Sequence, residues 1–355
     1  MKQPEKYIED EIRFRQAELA EKIVDLQYQQ NPGYWKKYGE EGRRISIRDA
    51  AYHLPFLTEA IVAGDPDIFN SYVLWVKQLF RNLGFSDSVM TETLECIRVV
   101  LKETFGQEYH HFFDRFIDSG LETMEQPLME QPGYLDIRSR NGQLAIDYTH
   151  ALLRGDRHSA SQFVMKAVEE GVPVKEIYLD IFQNSQYEIG RLWLDNQISV
   201  ATEHFCTAAT QSIMAQLYPY IFTTERLGRR LVAACVGGEL HELGIRMVSD
   251  FFEMDGWDTY YLGANSPATS IMKAIDEYQA DLVALSVSMP FHRSLLRETI
   301  KKLRESTSGK QVKIMIGGHA LNNFRDNWAA FNADGYAPNA NEAVITANKL
   351  ITAYQ

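Results

Sequence analysis

The sequence predicts a carboxyl-terminal α/β region built on a doubly wound parallel sheet (a Rossmann-like domain), preceded by two all-α units. Three observations carry that expectation. Residues 231–236 form an apolar run ending in Gly237-Gly238, residues 281–289 form a second run ending in small hydroxyls, and residues 312–316 form a third that enters Gly317-Gly318-His319. Between them, residues 267–278 and 294–303 carry apolar side chains at three- and four-residue spacing. A period that keeps switching between buried strand and amphipathic helix is the pattern of a parallel sheet with crossover helices. At 355 residues the chain exceeds one core of ordinary size, so two or three domains are expected.

Taken in order, residues 1–130 are helical and rich in aromatics, including Tyr34-Trp35, Tyr52-His53, Phe69, Tyr72, Trp75 and Tyr109-His110-His111-Phe112-Phe113. Most of those rings belong to a core. Gly64-Asp65-Pro66-Asp67 marks a helix break followed by a capped helix start. Residues 135–225 predict a four-helix bundle, with helical periodicity over 143–153, 159–170, 174–192 and 200–218 and Gly, Asp or Pro at the breaks. Residues 228–355 hold the sheet.

Composition narrows the function classes. The net charge of −12 argues against nucleic acid, and residues 1–130 carry 15 Lys/Arg against 23 Asp/Glu, so no basic module precedes the sheet. Cys96, Cys206 and Cys235 are far apart, which suggests neither a disulfide framework nor a zinc site. The start of the chain lacks an apolar signal core and no run of about 18 apolar residues occurs. A reduced, cytoplasmic protein without a membrane partner is expected.

The chemistry concentrates at the predicted strand ends. Glu239-Leu240-His241-Glu242-Leu243-Gly244 follows the first strand, Ser286 and Ser288 close the second, and Gly317-Gly318 follow the third. In open α/β sheets, ligands bind outside the carboxyl ends of the strands. An imidazole there, with a carboxylate two residues before it, suits metal ligation, because the carboxylate fixes the tautomer and raises ligand basicity. Read alone, the same residues also describe a surface histidine, strand-end hydroxyls and a simple turn.

Together they resemble the cobalamin-binding domain family, whose pattern is Asp-x-His-x-x-Gly, then Ser-x-Leu, then Gly-Gly. Glu239 stands where aspartate is usual, and Ser288 where leucine is usual. The resemblance implies His241 as lower axial ligand of cobalt and Glu239 as its hydrogen-bond partner. It also implies that Gly244 permits close approach, that Ser286 lines the pocket for the displaced nucleotide tail with Ser288 beside it, and that Gly317 and Gly318 lie against the nucleotide loop. The preceding bundle would cap the upper face of the corrin.

Trp193, nine intervening residues, then Glu203-His204 is similar to the signature of cobalamin photoreceptors that hold 5′-deoxyadenosylcobalamin, where such residues wall the adenosyl group. Leu194 stands where the light-sensing repressors carry a histidine. Residues 43–85 look like the N-terminal domain of photocobilins, light sensors that pair cobalamin with biliverdin. That resemblance implies a bilin site, for which Arg43, Arg44, Arg48, Asp49, Tyr52 and His53 are the candidates, and a non-covalent bilin. The function it implies is a light sensor, not an enzyme. Photolysis of adenosylcobalamin would change the cap and light-dependent self-association, or be read by a separate partner protein. Two alternatives stay open: a corrinoid methyl carrier of a methyltransferase system, and a cobalamin storage protein.

Overall fold

The structure is a computed structural model that describes residues 3–128, 132–324 and 328–352. The chain divides into two compact units, Met1–Gln131 with Leu194–Asn196, and Pro132–Trp193 with Gln197–Gln355. The expected boundary at residue 130 lies outside the described residues.

The first unit is helical, with α1 (Pro4–Gln30), α2 (Gly39–Ala63), α3 (Pro66–Asn82), α4 (Asp87–Thr104) and α5 (His110–Glu125). Each is set by local chemistry as well as by its apolar stripe. Gly64 ends α2 at φ +68, a left-handed conformation that only glycine adopts cheaply. Asp65 then caps α3 by accepting the Asp67 amide at 3.0 Å, with Pro66 in the first helical turn, as the sequence predicts. Phe69, Phe113 and Phe116 are fully buried or nearly so, which confirms the core role expected of most aromatics.

The second unit joins bundle and sheet in one body. Its bundle contains α6 (Gly142–Leu153), α7 (Arg157–Glu169), α8 (Asn184–Leu194) and α9 (Val200–Gln216). Residues 174–192, expected as one regular helix, instead enter α8 through a π-helical stretch, Ile177–Gln183. The sheet has five parallel strands in the order β2-β1-β3-β4-β5: β1 (Arg230–Val236), β2 (Asp258–Ser266), β3 (Leu282–Ser286), β4 (Lys313–Gly317) and β5 (Gly335–Ala337). The crossover helices are α10 (Leu243–Met254), α11 (Ala268–Tyr278), α12 (Arg293–Glu305) and α13 (Ala340–Thr352).

Both sheet faces are covered, and this is why β1 is apolar from Leu231 to Val236. Leu231, Ala233 and Cys235 face a core shared with Tyr148, Tyr178, Phe182 and Met214 of the bundle and with Phe251, Phe252 and Trp257. Val232, Ala234 and Val236 face the other core, with Ile271, Ile275, Leu296 and Ile300 of α11 and α12. Side chains alternate between faces with a period of two, so a strand buried on both sides has no polar position to spare. The order 2-1-3-4-5 reverses direction between β1 and β3, and that switch point opens the crevice where ligands bind. No helix among the described residues is long and apolar enough to cross a membrane.

Candidate functional site

The crevice is organised by the turn after β1. Gly238 sits at φ +78, and its amide donates to Asn265 Oδ1 at 2.7 Å. The Asn265 amide in turn donates to the Glu239 carbonyl at 2.8 Å, so the turn is stapled to the end of β2. Asn265 itself has φ +51, a conformation asparagine tolerates better than most residues.

Glu239 is then driven inward and has no solvent exposure. Its Oε1 accepts the His241 backbone amide at 3.0 Å and pairs with His241 Nδ1 at 2.6 Å. Its Oε2 accepts the amides of Ser288 at 2.7 Å and Met289 at 3.0 Å, and meets His292 Nδ1 at 3.0 Å. Burial alone opposes ionisation, but hydrogen bonds from His241, His292 and the two backbone amides of His241 and Met289 outweigh it and hold the carboxyl far below its usual range. It is therefore an anion acting only as an acceptor, which places the proton of the His241 ring on Nδ1.

His241 is the exposed end of this arrangement, with 61% of its side chain accessible. The Glu239 hydrogen bond raises its pKa against the opposing effect of burial, with further help from the charges of Glu239 and of Glu203 on α9. With Nδ1 engaged, the Nε2 lone pair is the edge offered outward. A lone imidazole held in this way suits a metal already carried by a macrocycle, and the residues present fit such a group. Cys235 lies beneath, its Sγ directed at the His241 carbonyl at 3.6 Å. Burial, with the nearby Glu239 and Glu242 charges, pushes that thiol up to about 12, which keeps it un-ionised.

The other predicted residues fall around this centre. Gly244 is in the first turn of α10, and a Cβ there would meet no atom within 4 Å, so the position is open to close approach. Ser286 closes β3, is 6% exposed and sits in register with Cys235 of β1 and Gly317 of β4. Ser288 contributes its backbone amide to Glu239. Gly317 and Gly318 also have a packing reason: a Cβ on Gly317 would lie 2.8 Å from the Ala337 carbonyl, and one on Gly318, at φ +104, would collide with the Val287 backbone.

On the bundle, Glu203 accepts from Thr207 at 3.1 Å and pairs with His204 Nδ1 at 2.5 Å. Thr207 also bonds Gln186, which reaches Thr210 and so the buried Tyr148 hydroxyl. Trp193 is half-buried near the end of α8. His204, expected against an upper ligand, has 75% of its side chain exposed.

Two site residues escape the sequence reading. His292, in the turn before α12, shares Glu239 with His241. Glu242 accepts from Gln211 of α9 at 2.9 Å, from the Tyr261 hydroxyl at 2.9 Å and from the Ala264 amide at 2.9 Å, tying the His241 loop to both bundle and β2. The position of His292 just past a strand's carboxyl end was the available signal.

The six bilin candidates do not converge. All lie on α2, yet Arg43 pairs with Asp25 at 2.5 Å, Arg44 with Glu41 at 2.5 Å and Arg48 with its neighbour Asp49 at 3.4 Å. Arg44, Arg48 and Tyr52 share an exposed helix face, the product of their four-residue spacing. His53 turns inward, where its Nδ1 meets the Tyr72 hydroxyl at 2.7 Å and burial lowers its pKa to about 4. Burial also raises the Asp49 carboxyl, against the pull of Arg48.

Comparison with known proteins fits the two halves of the second unit to one family. B12 binding domain models match residues 229–345 and 144–218, and a Phycobilisome protein model matches residues 10–124. Dimethylamine corrinoid protein 2 of Methanosarcina acetivorans is 30% identical over 166 residues, 46% of this chain and 74% of that protein. A corrinoid protein of Desulfitobacterium hafniense is 23% identical over 206 residues, 57% of this chain and 94% of that protein. The Methanosarcina barkeri monomethylamine corrinoid protein shares the fold, with a TM-score of 0.52 and 20% identity over 59% of this chain and 99% of that one.

The curated relatives overturn the expectation of a light sensor, and with it the light-dependent assembly: they are corrinoid proteins, the Methanosarcina one named for dimethylamine, which favours the methyl-carrier alternative. The spacing of Trp193 from Glu203-His204 was too slight a signal to decide between them, since both readings place a bundle before the same sheet. With a buried carboxylate presenting one exposed imidazole at the switch point, B12 binding domain matches on both sheet and bundle, and a relative of this likeness, the chain belongs to the corrinoid protein family.

Proposed function

We propose that the second unit binds a corrinoid, with His241 as lower ligand of cobalt, and carries a methyl group to or from a separate methyltransferase. The observation that supports this most is the His241 ring itself, fixed by Glu239 through Nδ1, with most of its side chain exposed. When bound, the corrinoid supplies a cobalt that can accept and release methyl. The protein's own residues do the rest. Glu239 keeps the ring proton on Nδ1, Gly244 admits the macrocycle, and Ser286 and Ser288 with Gly317 and Gly318 would receive its nucleotide tail. The carrier is not itself the catalyst: activation of the methyl donor and acceptor falls to partner proteins.

Trp193, Glu203 and His204 would then form the wall above the upper face. Methyl is too small to need specific contacts with that wall. Trp193→Ala and Glu203→Ala are therefore expected to leave the affinities for methylcobalamin and adenosylcobalamin changed to within about fivefold of each other, by spectrophotometric titration, since a wall not built for adenosyl offers it no more than one contact of on the order of 1 kcal/mol. A loss at least tenfold larger for adenosylcobalamin would contradict the carrier reading and return adenosylcobalamin as the resident form.

A second ligand, biliverdin, is proposed for the first unit, and the Phycobilisome protein match over residues 10–124 favours it. Cys96 is buried and burial raises its thiol to about 11, which favours a non-covalent complex. Added biliverdin is expected to develop a red-shifted band that denaturation abolishes with release of free pigment. A spectrum equal to that of biliverdin with an unrelated protein would rule this out, leaving the corrinoid reading untouched.

A further inference from the structure

We propose that Tyr178 and Asp250 form a proton-sensitive joint between the bundle and α10, the helix that follows the His241 turn, and that the joint is firmest when the Asp250 carboxyl carries a proton. The observation behind it is a buried carboxyl with too few partners. Asp250 is 4% exposed, and the Tyr178 hydroxyl, which donates to Oδ2 at 2.7 Å, is the only donor that meets its side chain among the described residues. A carboxylate has room for about four hydrogen bonds, so the ionised form is short of partners here while the neutral form is not.

The fold builds this shortage in. Tyr178 is itself fully buried and belongs to the π-helical stretch Ile177–Gln183; such stretches interrupt regular helices mostly at functional sites. Phe182 and Phe251 pack on its ring at separations of 5.3 and 6.0 Å and keep water from the pair. Arg246, one turn before Asp250, makes no ion pair with it among the described residues: its Nη2 donates to the Tyr218 hydroxyl at 3.3 Å, and its Nε is buried without a partner. The other charged groups nearby are engaged elsewhere. Glu253 is held by Arg226 and Thr259, Lys175 lies over the Phe251 ring, Glu176 binds Arg140, Asp180 binds Asn141, and Glu342 and Lys349 of α13 are exposed. Burial therefore dominates and pushes the Asp250 carboxyl up to about 6; the Tyr178 bond and Arg246 oppose it in part, and the Glu253 charge adds to it. When the joint opens, water reaches the carboxyl and its value returns to about 3.9. Below that value both states hold the proton and opening is rarest. As pH rises the open state ionises first, so opening grows until the closed state ionises as well.

Hydrogen exchange on the full, cofactor-free chain tests this, read on the amides of residues 177–183 and 243–254 and corrected for the intrinsic effect of pH. The open fraction of both segments is expected to rise about tenfold between about pH 5 and pH 7. Asp250→Asn is neutral at every pH and still accepts from Tyr178, so it should remove that rise. Tyr178→Phe removes the one donor that favours ionisation, and its rise should lie at higher pH; equal loosening at every pH would mean that Tyr178 only packs, and would overturn the pairing. Carbon-13 carboxyl NMR on the wild type needs no variant. Asp250 should titrate near 6, and a midpoint near the ordinary value of about 4 would overturn the proposal, as would a rise in Asp250→Asn as steep as that of the wild type. With no corrinoid present, the outcome is independent of whether His241 ligates cobalt.

Discussion

Replacing Glu239 with alanine is expected to destabilise the second unit by about 3–5 kcal/mol, the usual cost of removing one partner from a buried charged network. The change leaves the amides of Ser288 and Met289 and the rings of His241 and His292 without their common acceptor. For a unit of this size the melting transition should fall by on the order of 10 °C, readable by calorimetry. A fall below about 2 °C would mean that the network contributes little.

The same network fixes a pH dependence. The folded-state pKa of Glu239 is depressed, so its contribution is present above the unfolded carboxylate value of about 4.3 and is lost as pH falls below it. That of His241 is raised, so its contribution is complete below about 6.5 and is lost as pH rises through the higher folded value. Without cofactor, the pair therefore stabilises most between those two limits. Glu239→Ala should flatten the profile on both sides.

His241→Ala is expected to weaken corrinoid binding by about a hundredfold or more, since even the neighbours of a metal ligand commonly contribute ten- to hundredfold. The absorption spectrum of whatever corrinoid is retained should be that of the base-off form. In the wild type, binding through Nε2 competes with a proton, and Glu239 strengthens the hold of the ring on that proton. Affinity should therefore rise with pH through the raised His241 value, opposite to the histidine's own contribution to stability. A pH-independent affinity would count against ligation by this ring.

Much of this was legible in the sequence, and the reasons for the rest are physical. β1, β3 and β4 announce themselves because burial on both faces leaves no polar positions between their ends. β2 does not: it is an edge strand, its residues are mostly half-exposed, and its pairing with β1 shifts register twice, so neither an apolar run nor clean alternation appears. β5, three residues long, offers too little pattern for any period. Glu239 and His241 are two residues apart and carry a local signal, whereas His292 reaches the same carboxylate from the far side of β3. Only the topology, which brings the ends of β1 and β3 together, makes them neighbours. The bilin candidates are spread apart for the converse reason. Residues close in sequence on α2 point around the helix, and His53 is committed to Tyr72 inside.

Ligation by His241 can be observed directly through the magnetic coupling of one axial nitrogen to cobalt. Protein loaded with cobalamin and reduced to the paramagnetic divalent state should give an electron paramagnetic resonance spectrum whose high-field lines are each split in three. In protein grown on 15N-histidine the same lines should be split in two, because the coupled nucleus then belongs to the protein, and in His241→Ala the histidine coupling should vanish. Threefold splitting that persists in the labelled protein would mean that the cofactor's own base, and not His241, holds the lower face.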